Sequence, residues 1–196
     1  RDYGLSMVFC PTIAGHFLAK HPYPSLEADL VPPESPEKKW RCPQLWFDPM
    51  LAECARALPC VTLAFHTRLE AFEDRGTGVV AEVRDARTGE RRSIEADFLV
   101  GCDGPGSTVR RHLGIEMIGN RVLDHSVAIF FRSKTLAQEK YKGQAERYYF
   151  IDRAGWWGNI SAMDGRELWR LTVPSSEDGV AKVAAEAAQW VRRALG

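Results

Sequence analysis

Along residues 43–175 the apolar positions fall into two periods, and the change of period marks the predicted elements. In PQLWFDPMLAECARAL, Leu51, Cys54, Ala55 and Leu58 recur at helical spacing, and Asp48 with Pro49 makes a helix entrance, so a helix is predicted over about Asp48–Leu58. Three strand candidates follow, CVTLAF, TRLEAFED and GVVAEVRDA. In the third, Val79, Ala81 and Val83 alternate with Val80, Glu82 and Arg84, the pattern of an antiparallel ribbon with one wetter face. RRSIEAD pairs back across RTGE, and the apolar run Phe98–Leu99–Val100 reads as a strand buried on both faces of a parallel sheet. Beyond Gly114 the strands SVAIFFRS, RYYFIDR, GNISAM and ELWRLTV describe a second, antiparallel unit. At the end, Val180, Val183, Ala184, Ala187, Val191 and Leu195 share one face of a single amphipathic helix. Pro22, Pro24, Pro32, Pro33, Pro36 and Pro43 make residues 22–43 an irregular, partly extended connection.

The run DFLVGCDGPGSTVRRHLG concentrates the chemistry. A strand end followed at once by a helix start is where open α/β sheets place small molecules, and free N–H groups there favour an anion. Ser107 and Thr108 are candidate caps, while Gly104 and Gly106 let the backbone turn or approach a ligand closely. Asp103 is either a turn carboxylate capping its own corner or a cofactor contact. Arg110 and Arg111 are either a solvated helix face or phosphate partners, Arg110 being favoured by position. Cys102 reads as a small hydrophobe in a buried strand rather than a redox thiol. Ser107 lacks the flanking pattern of a hydrolase nucleophile elbow.

Aromatics crowd the second unit: Phe130, Phe131, Tyr148, Tyr149, Trp156, Trp157 and Trp169. They are ordinary sheet core or the wall of an aromatic-substrate pocket, and Trp157 and Trp169 are the substrate candidates. His66, His112 and His125 show no metal-ligand spacing and no partnered nucleophile, which leaves them structural or surface roles, so no metal is expected.

Composition narrows the classes. With 26 basic and 26 acidic residues among 196, the chain has no basic stripe for nucleic acid. Five cysteines without a C-x-x-C pair indicate neither a disulfide framework nor zinc and favour a reducing cytoplasm. No run nears the roughly 20 apolar residues that span a bilayer, so a soluble protein with no membrane partner is expected. Arg1 stands where an initiating Met would, which points to a processed product or a piece of a longer chain.

Three elements in order, RCPQLWFDPMLAECAR, then TRLEAFEDRGTGVVAEVRDARTGERRSIEAD, then FLVGCDGPGSTVRRHLG, resemble the flavin-dependent aromatic hydroxylases of the para-hydroxybenzoate hydroxylase fold, with phenol hydroxylases and polyketide-tailoring oxygenases as the nearest groups. The match is strongest over residues 41–116 and looser to about 175. The resemblance implies a mixed α/β and α+β fold: a partial, Rossmann-like FAD-binding domain with an antiparallel ribbon, plus an antiparallel-sheet substrate domain. It implies residues 1–40 as an irregular segment of the substrate domain, 41–116 as the centre of the FAD-binding domain and 117–196 as the substrate-binding domain. It also implies FAD and NAD(P)H as cofactors, dioxygen and an aromatic small molecule as partners, and hydroxylation of a phenolic or polycyclic aromatic substrate through a flavin hydroperoxide.

By motif, Asp103, Gly104, Ser107 and Arg110 take the places of the family's Asp-Gly element, and Gln44 that of its flavin-side glutamine. Pro105 replaces the usual Ala and removes an N–H from the corner. The family's opening G-x-G-x-x-G and closing Gly-Asp elements are absent, as expected of a middle section that by itself is inactive and holds FAD weakly. Two other readings compete: a non-catalytic binding module derived from the same fold, and an S-adenosylmethionine-dependent methyltransferase suggested by VGCDGPG. The latter lacks an acid after the following strand, since Asp124 precedes SVAIFF.

Overall fold

Four aspartates open four hairpin turns, and each accepts a backbone N–H two residues on: Asp74 from Gly76 at 2.8 Å, Asp85 from Arg87 at 2.7 Å, Asp152 from Ala154 at 2.8 Å and Asp164 from Arg166 at 2.9 Å. These turns fix where strands reverse and hence their register. The computed structural model describes residues 4–23, 31, 33–120, 122–136 and 145–196. Two prolines of the irregular connection, Pro24 and Pro32, lie outside them.

The chain divides into two compact units, Gln44–Arg121 and, together, Arg1–Pro43 with Val122–Gly196. The Gln44–Arg121 unit holds helix α1 (Gln44–Arg56), the ribbon β3 (Thr67–Asp74), β4 (Val79–Asp85) and β5 (Arg91–Ala96), and helix α2 (Thr108–His112). The ribbon is antiparallel throughout, in the order β3-β4-β5, and only Val83 is buried along β4.

Helix α1 begins at Gln44, directly after Pro43, and carries Pro49 inside it, so Asp48–Pro49 is not its entrance. Two expected strands are missing. Residues 61–64 and 98–100 have no ladder, and Phe98 and Val100 are 85% and 77% exposed. The cause is lack of pairing: among the described residues no strand lies alongside either segment, and apolar sequence alone does not supply the hydrogen bonds that define a strand. Cys102 is exposed for the same reason, not a buried hydrophobe.

The other unit is a six-stranded sheet in the order β2-β1-β7-β8-β9-β6. Its strands are β1 (Met7–Cys10), β2 (Ala19–His21), β6 (His125–Arg132), β7 (Arg147–Asp152), β8 (Gly155–Ala162) and β9 (Leu168–Ser175). All pairings are antiparallel except β1 with β7, which is parallel. The short β1 and β2 carry too little pattern to be seen in the sequence.

Alternation along β9 is clear: Trp169, Leu171 and Val173 are buried, while Leu168, Arg170 and Thr172 are half-buried. The buried set joins Val8, Cys10, Phe150 and Ile160 under Val183 and Ala194 of two helices, α3 (Val180–Ala185) and α4 (Ala187–Leu195). Each fully buried aliphatic side chain there contributes about 2 kcal/mol. The terminal segment is thus two helices rather than one. Glu186, at φ −94° and ψ 14°, leaves the helical path, and its carbonyl restarts the ladder by accepting from Gln189 and Trp190. Val180, the first residue of α3, is 40% exposed, whereas Val183 of the same helix is buried.

Candidate functional site

The corner between β5 and α2 is built on its own side chains. Asp103 Oδ2 accepts the Thr108 N–H at 2.6 Å and the Val109 N–H at 3.3 Å, and Ser107 Oγ accepts the Arg110 N–H at 3.0 Å. Gly104 adopts φ +74° with nothing within 4 Å of an added Cβ, and its carbonyl accepts the Ser107 N–H. Gly101 is the reverse case: a Cβ there would lie 2.9 Å from Val109 Cβ, so only glycine lets α2 settle on the preceding segment. The Ser107 hydroxyl, with the Thr108 and Val109 N–H groups, holds the exposed Asp103 carboxyl below its ordinary range against a desolvation cost.

This arrangement corrects one expectation. The first N–H groups of α2 are already taken by Asp103 and Ser107, so the helix start does not offer itself to a phosphate. What the corner presents outward is an ionised carboxylate and open backbone. Arg110 is likewise engaged: Nη1 donates to the Ile115 carbonyl at 2.8 Å and Nη2 to the Pro105 carbonyl at 3.1 Å, tying the corner to the chain beyond α2. Gln44 is exposed at the first position of α1.

In the six-stranded unit the two tryptophan candidates serve the core. Trp157, 8% exposed, stacks on Phe150 at 4.8 Å and lies under the Arg193 guanidinium at 4.1 Å; Trp169, 5% exposed, donates from Nε1 to the Ser133 carbonyl. Alternation sends both toward the helices, into the core that Val183 and Ala194 complete.

The other face of the sheet was not visible from the aromatics alone. Strand register lines up Met7, Arg147, Ser161, Arg170 and Phe130 in one row, and Phe9, Tyr149, Asn159, Thr172 and Ala128 in the next. Arg147 donates from Nε to Ser161 Oγ and from Nη1 to Tyr149 Oη, both at 3.1 Å. Phe9 stacks on Tyr149 with ring centroids 5.4 Å apart. Period-two reading of ELWRLTV and GNISAM would have placed Arg170, Asn159 and Ser161 together, had polar rather than apolar positions been followed.

No helix among the described residues is long and apolar enough to cross a membrane, and none of their His, Cys, Asp and Glu side chains form a group able to hold a metal.

Residues 12–193 match the family described as FAD binding domain. The FAD-dependent monooxygenase apdD of Emericella nidulans is 28% identical over 141 residues, 69% of this chain and 23% of that protein. The tetracenomycin A2 monooxygenase-dioxygenase of Streptomyces glaucescens is 32% identical over 110 residues, 56% of this chain and 19% of its own length. Among solved structures, the substrate-free rebeccamycin biosynthetic enzyme REBC superposes with a TM-score of 0.78 at 29% identity, covering 99% of this chain and 37% of that one. The aklavinone-11 hydroxylase complex with FAD and aklavinone has the same fold, with a TM-score of 0.77 at 23% identity, over 99% of this chain and 37% of its own. The chain therefore spans about a fifth to a third of the length of such relatives.

Proposed function

The chain belongs to the FAD binding domain family, and from that premise we propose that it acts in a flavin-dependent monooxygenase that hydroxylates a polycyclic aromatic substrate with NAD(P)H and dioxygen. FAD, when bound, supplies the two-electron and oxygen chemistry. The protein's own residues bind, orient and exclude water.

The observation that carries this reading is the Asp103 corner. An exposed carboxylate kept ionised by Ser107 suits the hydroxyl groups of a cofactor's sugar or polyol, which donate hydrogen bonds, better than it suits a phosphate, which would repel it. The open space at Gly104 admits such a group against the backbone. In this reading Asp103 and Gly104 contact FAD, Ser107 holds Asp103 and α2 in place, Arg110 braces the corner and Gln44 reaches the flavin side. The substrate side falls to the sheet face that carries Arg147 and Tyr149, with Trp157 and Trp169 supporting it from the core behind. The relatives named for aklavinone and tetracenomycin favour a polycyclic, polyketide-derived ring system. Five free thiols suit a reducing cytoplasm.

The test is flavin content and the rate of NAD(P)H-driven reduction for the intact protein and its Asp103→Ala variant. Loss of flavin or slower reduction in the variant is expected; unchanged values of both remove Asp103 from the site. An intact protein that binds an aromatic ligand yet neither retains flavin nor consumes NAD(P)H would instead be a non-catalytic binding module. Family membership decides against a methyltransferase.

A further inference from the structure

Strand β6 ends the six-stranded sheet, and among the described residues no strand pairs with its outer side. It runs eight residues against β9 without a break in register, so the N–H and C=O groups that point outward form a continuous unpaired row. Proteins commonly blunt such an edge with a proline, a bulge or a lysine. HSVAIFFR carries none of these. Opposite charges flank it instead: exposed Asp124 precedes the strand and exposed Arg132 closes it.

A strand so arranged is complementary to itself. Two copies related by a twofold axis perpendicular to the sheet pair antiparallel and keep equivalent faces on one side, which puts the axis at a residue. With Ala128 on the axis, Asp124 of each copy stands opposite Arg132 of the other, Ser126 opposite Phe130 and Val127 opposite Ile129. Moving the axis to Ile129 would set Arg132 against Ser126, and moving it to Val127 would set Asp124 against Phe130, so charge selects the first register. Alternation agrees with it: Asp124, Ser126, Ala128, Phe130 and Arg132 are exposed, while Val127, Ile129 and Phe131 pack against the core. Arg132 already pairs with Glu167 at 2.5 Å through Nη1, and its five N–H donors leave room for a second carboxylate. Helix α3 follows β9 at the end where Ser175 faces His125, so the axis sends the two α3 helices to opposite ends of the paired strands.

We infer that β6 is an interface between two copies of this chain, which join their sheets through an antiparallel β6–β6 pair closed at both ends by Asp124 and Arg132. The inference rests on the six-stranded unit and is independent of the flavin reading.

The experiment measures the mass of the intact protein by light scattering over a concentration series reaching about 100 µM. Reductant is present, so that the exposed thiols do not cross-link copies. A dimer is expected at the top of the series, with hydrogen exchange along β6 slower there than after dilution. Asp124→Arg and Arg132→Asp each set like charges opposite one another at both ends and should weaken association by about tenfold. Mixed together, the two variants should pair again, because each then meets the opposite charge twice. Ala128→Lys brings two ammonium groups together on the axis through an exposed position and should give a folded monomer. A wild type that stays monomeric throughout, whether its edge is bare or covered by another segment, overturns the inference. So does a dimer that Asp124→Arg and Ala128→Lys both leave intact, or a mixture of folded charge variants that does not pair. Should Arg132→Asp fail to fold beside Glu167, Asp124→Arg and Ala128→Lys still decide.

Discussion

Lys39 Nζ lies 2.8 Å from Glu146 Oε2, and Arg41 pairs with the other oxygen of the same carboxylate, so one acid joins the segment before α1 to the start of β7. Arg41 also donates to the Ala162 carbonyl at 3.2 Å, which extends the tie to the end of β8. Burial pushes the Glu146 carboxyl up, but the Lys39 hydrogen bond and the charges of Arg41 and Lys39 outweigh it and leave the group below its usual range. A lowered carboxylate stabilises the fold above its unfolded pKa, about 4.3, and that contribution is lost as pH falls through the depressed folded value. Glu146→Gln should therefore destabilise the protein by about 2 kcal/mol at pH 7. In denaturant titrations across pH, the gap between wild type and variant should close on acidification; a gap independent of pH would rule this account out.

Gly101→Ala puts a methyl group 2.9 Å from Val109 Cβ, an atom too near the backbone to swing aside. The expected result is a loosened α2, at a cost of about 1–3 kcal/mol. Hydrogen exchange at Arg111 and Leu113, whose N–H groups bond within this turn to Ser107 and Val109, should speed up, while the β3–β5 ribbon stays protected.

Local chemistry was legible in the sequence wherever short-range hydrogen bonds decide the structure. TRLEAFED is β3 residue for residue, and RTGE stands at the turn between β4 and β5. What was illegible depends on partners distant in the chain. Phe98–Val100 has the composition of a central strand, yet strand formation is a property of the neighbour as much as of the segment. The pairing of Lys39 and Arg41 with Glu146 spans more than a hundred residues, and no local pattern announces it. At the corner, Ser107 caps α2 as expected and Asp103, expected as a cofactor contact, caps it too, and that capping spends the amides expected to hold a phosphate.

Trp157 fills the space between Phe150 and α4, and Arg193 lies over its ring while also pairing with Asp152 at 3.1 Å. Trp157→Ala should cost about 3–5 kcal/mol by leaving a cavity under α4. Arg193→Ala, which removes only the partly exposed cap, should cost about 1 kcal/mol or less. Melting curves of the two variants check the ranking, and a milder effect for Trp157→Ala than for Arg193→Ala would move Trp157 out of the core role.

Arg110 separates two accounts of the corner. As a brace, its guanidinium spans the Pro105 and Ile115 carbonyls, and a lysine can reach only one of them. As a phosphate partner, by contrast, a lysine would keep most of the charge that matters. Arg110→Lys is expected to quicken hydrogen exchange at Ser107 and Ile115, whose N–H groups close the two ends of the corner, and to weaken flavin retention through that loosening. Because no charge is removed from the ligand's neighbourhood, the dependence of flavin affinity on ionic strength should be the same in variant and wild type. In Arg110→Met the brace is lost along with the charge, and the salt dependence should again be unchanged if the guanidinium faces only carbonyls. A flatter salt dependence in Arg110→Met alone would place a cofactor phosphate at this side chain after all.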